Sequence, residues 1–251
     1  MGEARLSDGR WTADELLKLP TENGVRLGGT STTRLDTFVD AAFAFAVTLM
    51  VISVDEVPGS YDEFMDALAQ VPAFLACFML LMLFWWGHHS WSRKFGLHGV
   101  PSTLLSLGLV ALVLIYIYPL RLIFGAFFAN ATDGALPSGL DLTLEQLGDM
   151  FVVFGIGFSA MSGVLAALYL LARNRQAQLL LNDRECRHAR SEATTWLIVA
   201  GTGLVSTLAA LMLPAGLSPA AGYIYWSLII TLPAQAYLSK RGRRLPDPPA
   251  D

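Results

Sequence analysis

Charge is scarce in this chain. Its 251 residues are 15% charged and 54% hydrophobic, with a mean hydropathy of +0.49. A soluble domain of this size carries about a quarter charged residues, so a water-soluble globule is excluded and an integral membrane protein is expected. Cysteine is scarce as well. The two present, Cys77 and Cys186, sit in an apolar run and in a basic segment respectively, which separates them and argues against a disulfide framework. The first 33 residues have no basic stretch leading into an apolar core, so no cleavable signal peptide is expected. There is no H-E-x-x-H pair, no T-V-G-Y-G filter and no repeat of 20–50 residues.

What is present is a set of long apolar runs. A membrane helix needs about 20 residues to cross ~30 Å of hydrocarbon. Six stretches qualify, approximately 35–55, 71–92, 100–128, 147–173, 193–213 and 219–240. The third is over-long and contains Pro119 followed by Arg121, which predicts a span to Tyr118 and then a kinked, Phe-rich interfacial extension. The segment 182–192 (NDRECRHARSE) reads as a solvated basic loop, with a helical extension as the lesser alternative.

Base is missing from every second loop. Residues 56–70 hold Glu56, Asp62, Glu63 and Asp66 without Lys or Arg, and residues 129–146 hold Asp133, Asp141 and Glu145 without either. Of the 17 basic residues only Arg121 lies on that side. The positive-inside rule therefore places both termini in the cytoplasm. The expected division is a cytoplasmic segment 1–33, a six-helix membrane domain 34–240 and a cytoplasmic tail 241–251.

The first span breaks the rule that membrane helices shed charge. Residues 34–55 read RLDTFVDAAFAFAVTLMVISVD, with Arg34, Asp36 and Asp40 in the opening turns. An ionised group in hydrocarbon costs several kcal/mol unless it is satisfied. Projected at 100° per residue, Arg34, Phe38, Ala41, Phe45, Thr48, Leu49, Ile52 and Glu56 fall on one stripe, and Asp36 and Asp40 point away from it. The carboxylates need a partner. The second span runs antiparallel and ends Phe84-Trp85-Trp86-Gly87-His88-His89-Ser90-Trp91, at the same depth, with indole and imidazole N–H groups to donate. A plain interfacial aromatic belt is the competing reading of that segment. In the fourth span Gly155, Ser159, Gly163 and Ala167 recur every four residues, a packing groove for another helix.

Taken together, Arg34-Leu-Asp-Thr-Phe38-Val39-Asp40 and Trp85-Trp-Gly-His88-His89 resemble the R-x-x-x-F-S-D and W-x-x-H-H signatures of the transmembrane protein 175 family, the endosomal and lysosomal potassium channels and their bacterial six-helix relatives. The likeness is detailed over residues 34–92, includes Pro72-Ala-Phe-Leu-Ala, and departs at Val39, where the family has Ser. It implies an all-α, six-span homotetramer in a bacterial plasma membrane, with helix 1 lining a central pore. It implies a potassium-preferring cation channel with a ring of large apolar side chains as constriction: Phe45, Leu49 and Ile52, with Thr48 as a selectivity hydroxyl. Phe45 is not the residue usual at its position. Glu56 falls at the outer mouth, and Arg34, Phe38, Asp40, Trp85, His88 and His89 form a structural network. No metal or cofactor is implied beyond permeant K⁺ and other monovalent cations. The expected partners are the lipid bilayer and further copies of the chain, not nucleic acid.

Two other classes compete. A transporter or proton conductor would use Asp40 with His88 and His89 as a relay. It would also want broken helices and mid-membrane charge in spans 4 to 6, which the sequence lacks. A membrane enzyme holding a metal on His88 and His89 is the weaker idea, because adjacent helical histidines diverge by 100°.

Overall fold

The computed structural model describes residues 13–52, 59–138, 143–217 and 219–241. The protein is all-α apart from one small hairpin. In chain order it comprises α1 (Ala13–Lys18), β1 (Thr21–Glu22), β2 (Val25–Arg26), α2 (Arg34–Ile52), α3 (Tyr61–Ala69), α4 (Val71–Phe95), α5 (Val100–Ala131) and α6 (Leu144–Asn174). Then come α7 (Gln176–Leu179), α8 (Asp183–Met212), α9 (Pro219–Tyr223) and α10 (Leu228–Arg241). Among the described residues, four stretches are long and apolar enough to cross a membrane: 61–95, 100–131, 144–174 and 183–212. The chain is a multi-pass membrane protein.

The other two expected spans differ from these four for separate reasons. The α2 helix carries three charges in 19 residues. The sixth span is interrupted: Ile224–Ser227 winds as a 3-10 segment between α9 and α10. There Tyr225 sets its ring edge-on against Phe154 and Phe158, at centroid distances of 5.1 and 5.2 Å. Such a stretch is tighter and less well bonded than an α-helix, and aromatic packing holds it in place.

Punctuation follows residue chemistry. Pro72 and Pro101 stand in the first turns of α4 and α5, where a missing N–H costs nothing. Gly96 ends α4 at φ +50°, a conformation that a side chain would strain. Pro119 lies inside α5, which continues through it to Ala131 instead of ending at Tyr118.

The tightest helix pair is α6 with α8. A Cβ on Gly203 would overlap the Ser159 hydroxyl and stand 2.9 Å from the Gly155 carbonyl oxygen. Ser159 donates to the Ala200 carbonyl at 2.9 Å. The four-residue stripe on α6 is thus half used: Gly155 and Ser159 face α8, whereas a Cβ on Gly163 would meet nothing within 4 Å. Four residues turn 400°, so the stripe drifts about 40° per step and leaves the interface.

Residues 183–192 are helix, not loop. Asn182 and Glu185 cap α8 reciprocally, each side chain accepting from the other's backbone N–H. Thirty residues rise about 45 Å, some 15 Å more than the hydrocarbon. The charges place the excess at 183–192, outside the membrane.

That overhang holds the N-terminal hairpin. Arg26 grips Glu185 with Nε at 2.7 Å from Oε1 and Nη2 at 2.6 Å from Oε2, and its backbone N–H adds a third bond at 3.0 Å. The Glu185 side chain is only 2% exposed. Gly28 and Gly29 then donate to the carbonyls of Lys94 and Arg93, both at 3.0 Å, and the chain enters α2. Burial pushes the Glu185 carboxyl up, but the Arg26 and Asn182 hydrogen bonds outweigh it and leave its pKa lowered. Docking of the hairpin is therefore fully supported above the ordinary carboxylate value and weakens as pH falls through the lowered one. Hydrogen-exchange protection of residues 21–29, taken relative to the intrinsic exchange rate at each pH, should be high at neutral pH and fall as pH drops through the lowered carboxylate value. Glu185→Gln should reduce that protection already at neutral pH. Loosening on a rise in pH would contradict this linkage.

Candidate functional site: helix α2 and the end of α4

The start of α2 is set by a capping box at Thr33 and Asp36. The Asp36 N–H donates to Thr33 Oγ1 at 3.2 Å, and Asp36 Oδ2 accepts from the Thr33 N–H at 3.0 Å and its hydroxyl at 2.7 Å. Ser92 of α4 donates to the other Asp36 oxygen at 2.5 Å. Asp36 is thus held by its own turn and by the neighbouring helix. The T-x-x-D spacing that signals this role is plain in the sequence, although the reading above assigns Asp36 only a direction.

The Trp85 indole N–H donates to Asp40 Oδ1 at 2.8 Å, and His89 stacks on Trp85 with centroids 5.0 Å apart. These three residues come together. The buried His88 instead bonds through Nε2 to Ser106 Oγ of α5 at 2.9 Å. Arg34 is exposed and makes no ion pair among the described residues. Asp40 is exposed at the rim of the helix rather than turned fully from the stripe. A cavity of about 440 Å³ opens at this basic end, lined in part by Asp36, Asp40, His88 and His89. Among the described residues no three His, Cys, Asp or Glu gather as a metal-ligand set. Cys77 and Cys186 are free thiols.

Beyond Asp40, α2 divides cleanly by periodicity. Val39, Phe43, Ala46 and Met50 are buried against the bundle, none more than 1% exposed. The opposite face is open: Phe38 is 53% exposed, Phe45 56% and Val51 51%, with Ala41, Ala44 and Thr48 exposed between them. This face contains most of the projected stripe but is rotated slightly. It is centred near Thr48, takes in Val51, and leaves Leu49 half-buried against the core. Thr48 donates its hydroxyl to the Phe45 carbonyl at 2.7 Å, which leaves the oxygen's acceptor capacity unused by that bond. Ile52 closes the helix, and its side chain lies outside the described residues, as does Glu56.

The α2 helix thus leaves an apolar face open and has its charged end tied to α4. A family model described as "Endosomal/lysosomal potassium channel TMEM175" matches residues 34–119, from the first residue of α2 to the proline of α5. Over that stretch the chain is similar to the TMEM175 family. It is 28% identical over 229 residues to a protein of Marivirga tractuosa named "Potassium channel", covering 86% of this chain and 92% of that one. Its fold is similar to the crystal structure of a variant of the potassium channel MtTMEM175 bound to a nanobody–MBP fusion. The TM-score is 0.76 at 22% identity, over 90% of this chain and all of that one.

The matched segment includes both Asp40 and Trp85. Their bond lies at an exposed rim, so its loss costs the net worth of one hydrogen bond, about 0.5–1.5 kcal/mol. Asp40→Ala should therefore lower thermal stability in detergent, and Asp40→Asn, which keeps an acceptor, should restore most of it. A stable Asp40→Ala protein with changed ion preference would place Asp40 on an ion path instead.

Proposed function

We propose that this chain is a potassium-preferring cation channel of the TMEM175 family. Four copies would surround a central pore, with the open face of α2 turned to the axis. The observation that carries the reading is that face: Phe45, Thr48 and Val51 stay exposed while Val39, Phe43 and Met50 across the helix are fully buried. The naming of a relative over most of its length as a potassium channel supports it.

In this reading the constriction is made by Phe45, Leu49 and Ile52 in place of a carbonyl filter. An apolar ring expels water and so raises a barrier to a hydrated ion, and K⁺ crosses more readily than Na⁺ because it sheds water at lower cost. Thr48 offers a hydroxyl within that stretch, and four Glu56 side chains would draw cations to the outer mouth. Both termini and the hairpin lie in the cytoplasm, and the sixth crossing is made by α9, the 3-10 segment and α10 together. The membrane is the cell's plasma membrane.

Reconstitution in a planar bilayer under a K⁺/Na⁺ gradient tests the proposal. Single-channel currents reversing toward the K⁺ potential are expected. A saturable flux tied to a coupling ion, with no unitary currents, would instead make the protein a transporter.

A further inference from the structure

The groove between α8 and α10 lies far from α2 in the chain and has no part in the proposed pore. It encloses about 620 Å³. Its two walls are stapled by Gln235, which accepts from the Thr195 hydroxyl at 3.0 Å and donates to the Ser191 carbonyl at 3.1 Å. Its apolar lining includes Ile198, Ala234 and Leu238, and Arg187 and Arg190 line its basic end. Both arginines are exposed, and neither forms an ion pair among the described residues.

We propose that this groove binds one anionic phospholipid, with its phosphate on Arg187 and Arg190 and an acyl chain along α8 toward Ile198. Two features fit that occupant together. Guanidinium groups pair with phosphate through two parallel N–H bonds, and basic pockets between membrane helices on the cytoplasmic side suit such headgroups. Arg187 and Arg190 stand in the overhang outside the hydrocarbon and Ile198 about 17 Å further along α8 from Arg187, so a headgroup and the first part of its acyl chain can meet both ends of the groove. A free phosphate would use the arginines and leave the apolar stretch empty. A zwitterionic lipid would fill the stretch and gain little from the arginines.

Native mass spectrometry of the detergent-purified protein, with phosphatidylglycerol and phosphatidylcholine as probes, tests this. Phosphatidylglycerol should be retained in preference to phosphatidylcholine, one per protomer. The double variant Arg187→Gln/Arg190→Gln should lower that retention roughly tenfold or more, the scale of two lost cations facing a headgroup, whereas Arg175→Gln, outside the groove, should not. Ala234→Trp fills the groove and should abolish retention with the oligomer unchanged on size exclusion. Equal retention of both lipids would overturn the proposal, as would full retention in the Trp variant. A shift in oligomeric state caused by Ala234→Trp would also overturn it, because the groove would then be covered by a neighbouring subunit.

Discussion

Phe45→Ala should raise the current and weaken the preference for K⁺ while the protein assembles normally. Phe45 is a large side chain 56% exposed on the open face of α2. If four copies of that face meet on an axis, four aromatic rings leave little room for a hydrated ion. Replacing them with methyl groups widens the opening and admits water, which lowers the dewetting barrier. Each fall of about 1.4 kcal/mol in that barrier raises the current about tenfold. Selectivity falls in the same step, because a wet opening no longer strips water from the ion. The side chain contributes nothing to the buried core cluster, so stability should hardly change. Val47→Ala is the control: Val47 is on the same helix but packs against the core. Val51→Ala is not neutral in this scheme, since Val51 is exposed next to Thr48. An unchanged Phe45→Ala beside an altered Val47→Ala would mean that the open face is a packing or lipid surface and that the pore lies elsewhere.

Much of this geometry is legible in the residues, for reasons that can be named. The period of buried and open positions on α2 follows from 3.6 residues per turn. The contact of Trp85 with Asp40 follows from two antiparallel helices having their charged and aromatic ends at one level. The exact rotation of α2 does not follow, because Leu49 is drawn inward by neighbours from distant parts of the chain. His88 points the same lesson. Its partner Ser106 belongs to α5, and no pattern within α4 announces that register.

Other features were written locally and outweighed by composition. Asn23-Gly24, with φ of +54° and +74°, is a two-residue hairpin signal between Glu22 and Val25. Asn182-x-x-Glu185 is a helix start in a segment whose charge reads as loop. In the second case the two polar side chains satisfy each other's backbone N–H rather than water. The 3-10 break at 224–227 has no such mark, since it depends on Phe154 and Phe158 of α6 receiving Tyr225.

Gly203→Val should be strongly destabilising to the bundle. Gly203 and Gly155 lie at the crossing of α6 and α8, where backbone meets backbone. A Cβ on Gly203 would stand 2.9 Å from the Gly155 carbonyl oxygen, and one on Gly155 would stand 2.7 Å from the Gly203 carbonyl oxygen. A side chain could rotate away from such an intrusion, but a carbonyl within a helix cannot without giving up its own hydrogen bond. The helices must separate, and the Ser159 bond to Ala200 goes with the contact. Overpacking of this kind costs about 1–3 kcal/mol or more, equivalent to a fall in melting temperature on the order of 10 °C for a chain of this length. Gly203→Ala, with one methyl, should fall part of the way. Gly163→Val belongs to the same four-residue stripe but meets open space, and it should melt like the parent protein. Thermal denaturation in one detergent separates the three variants. Equal losses for Gly203→Val and Gly163→Val would show that the cost is one of lost small residues in general rather than of this crossing.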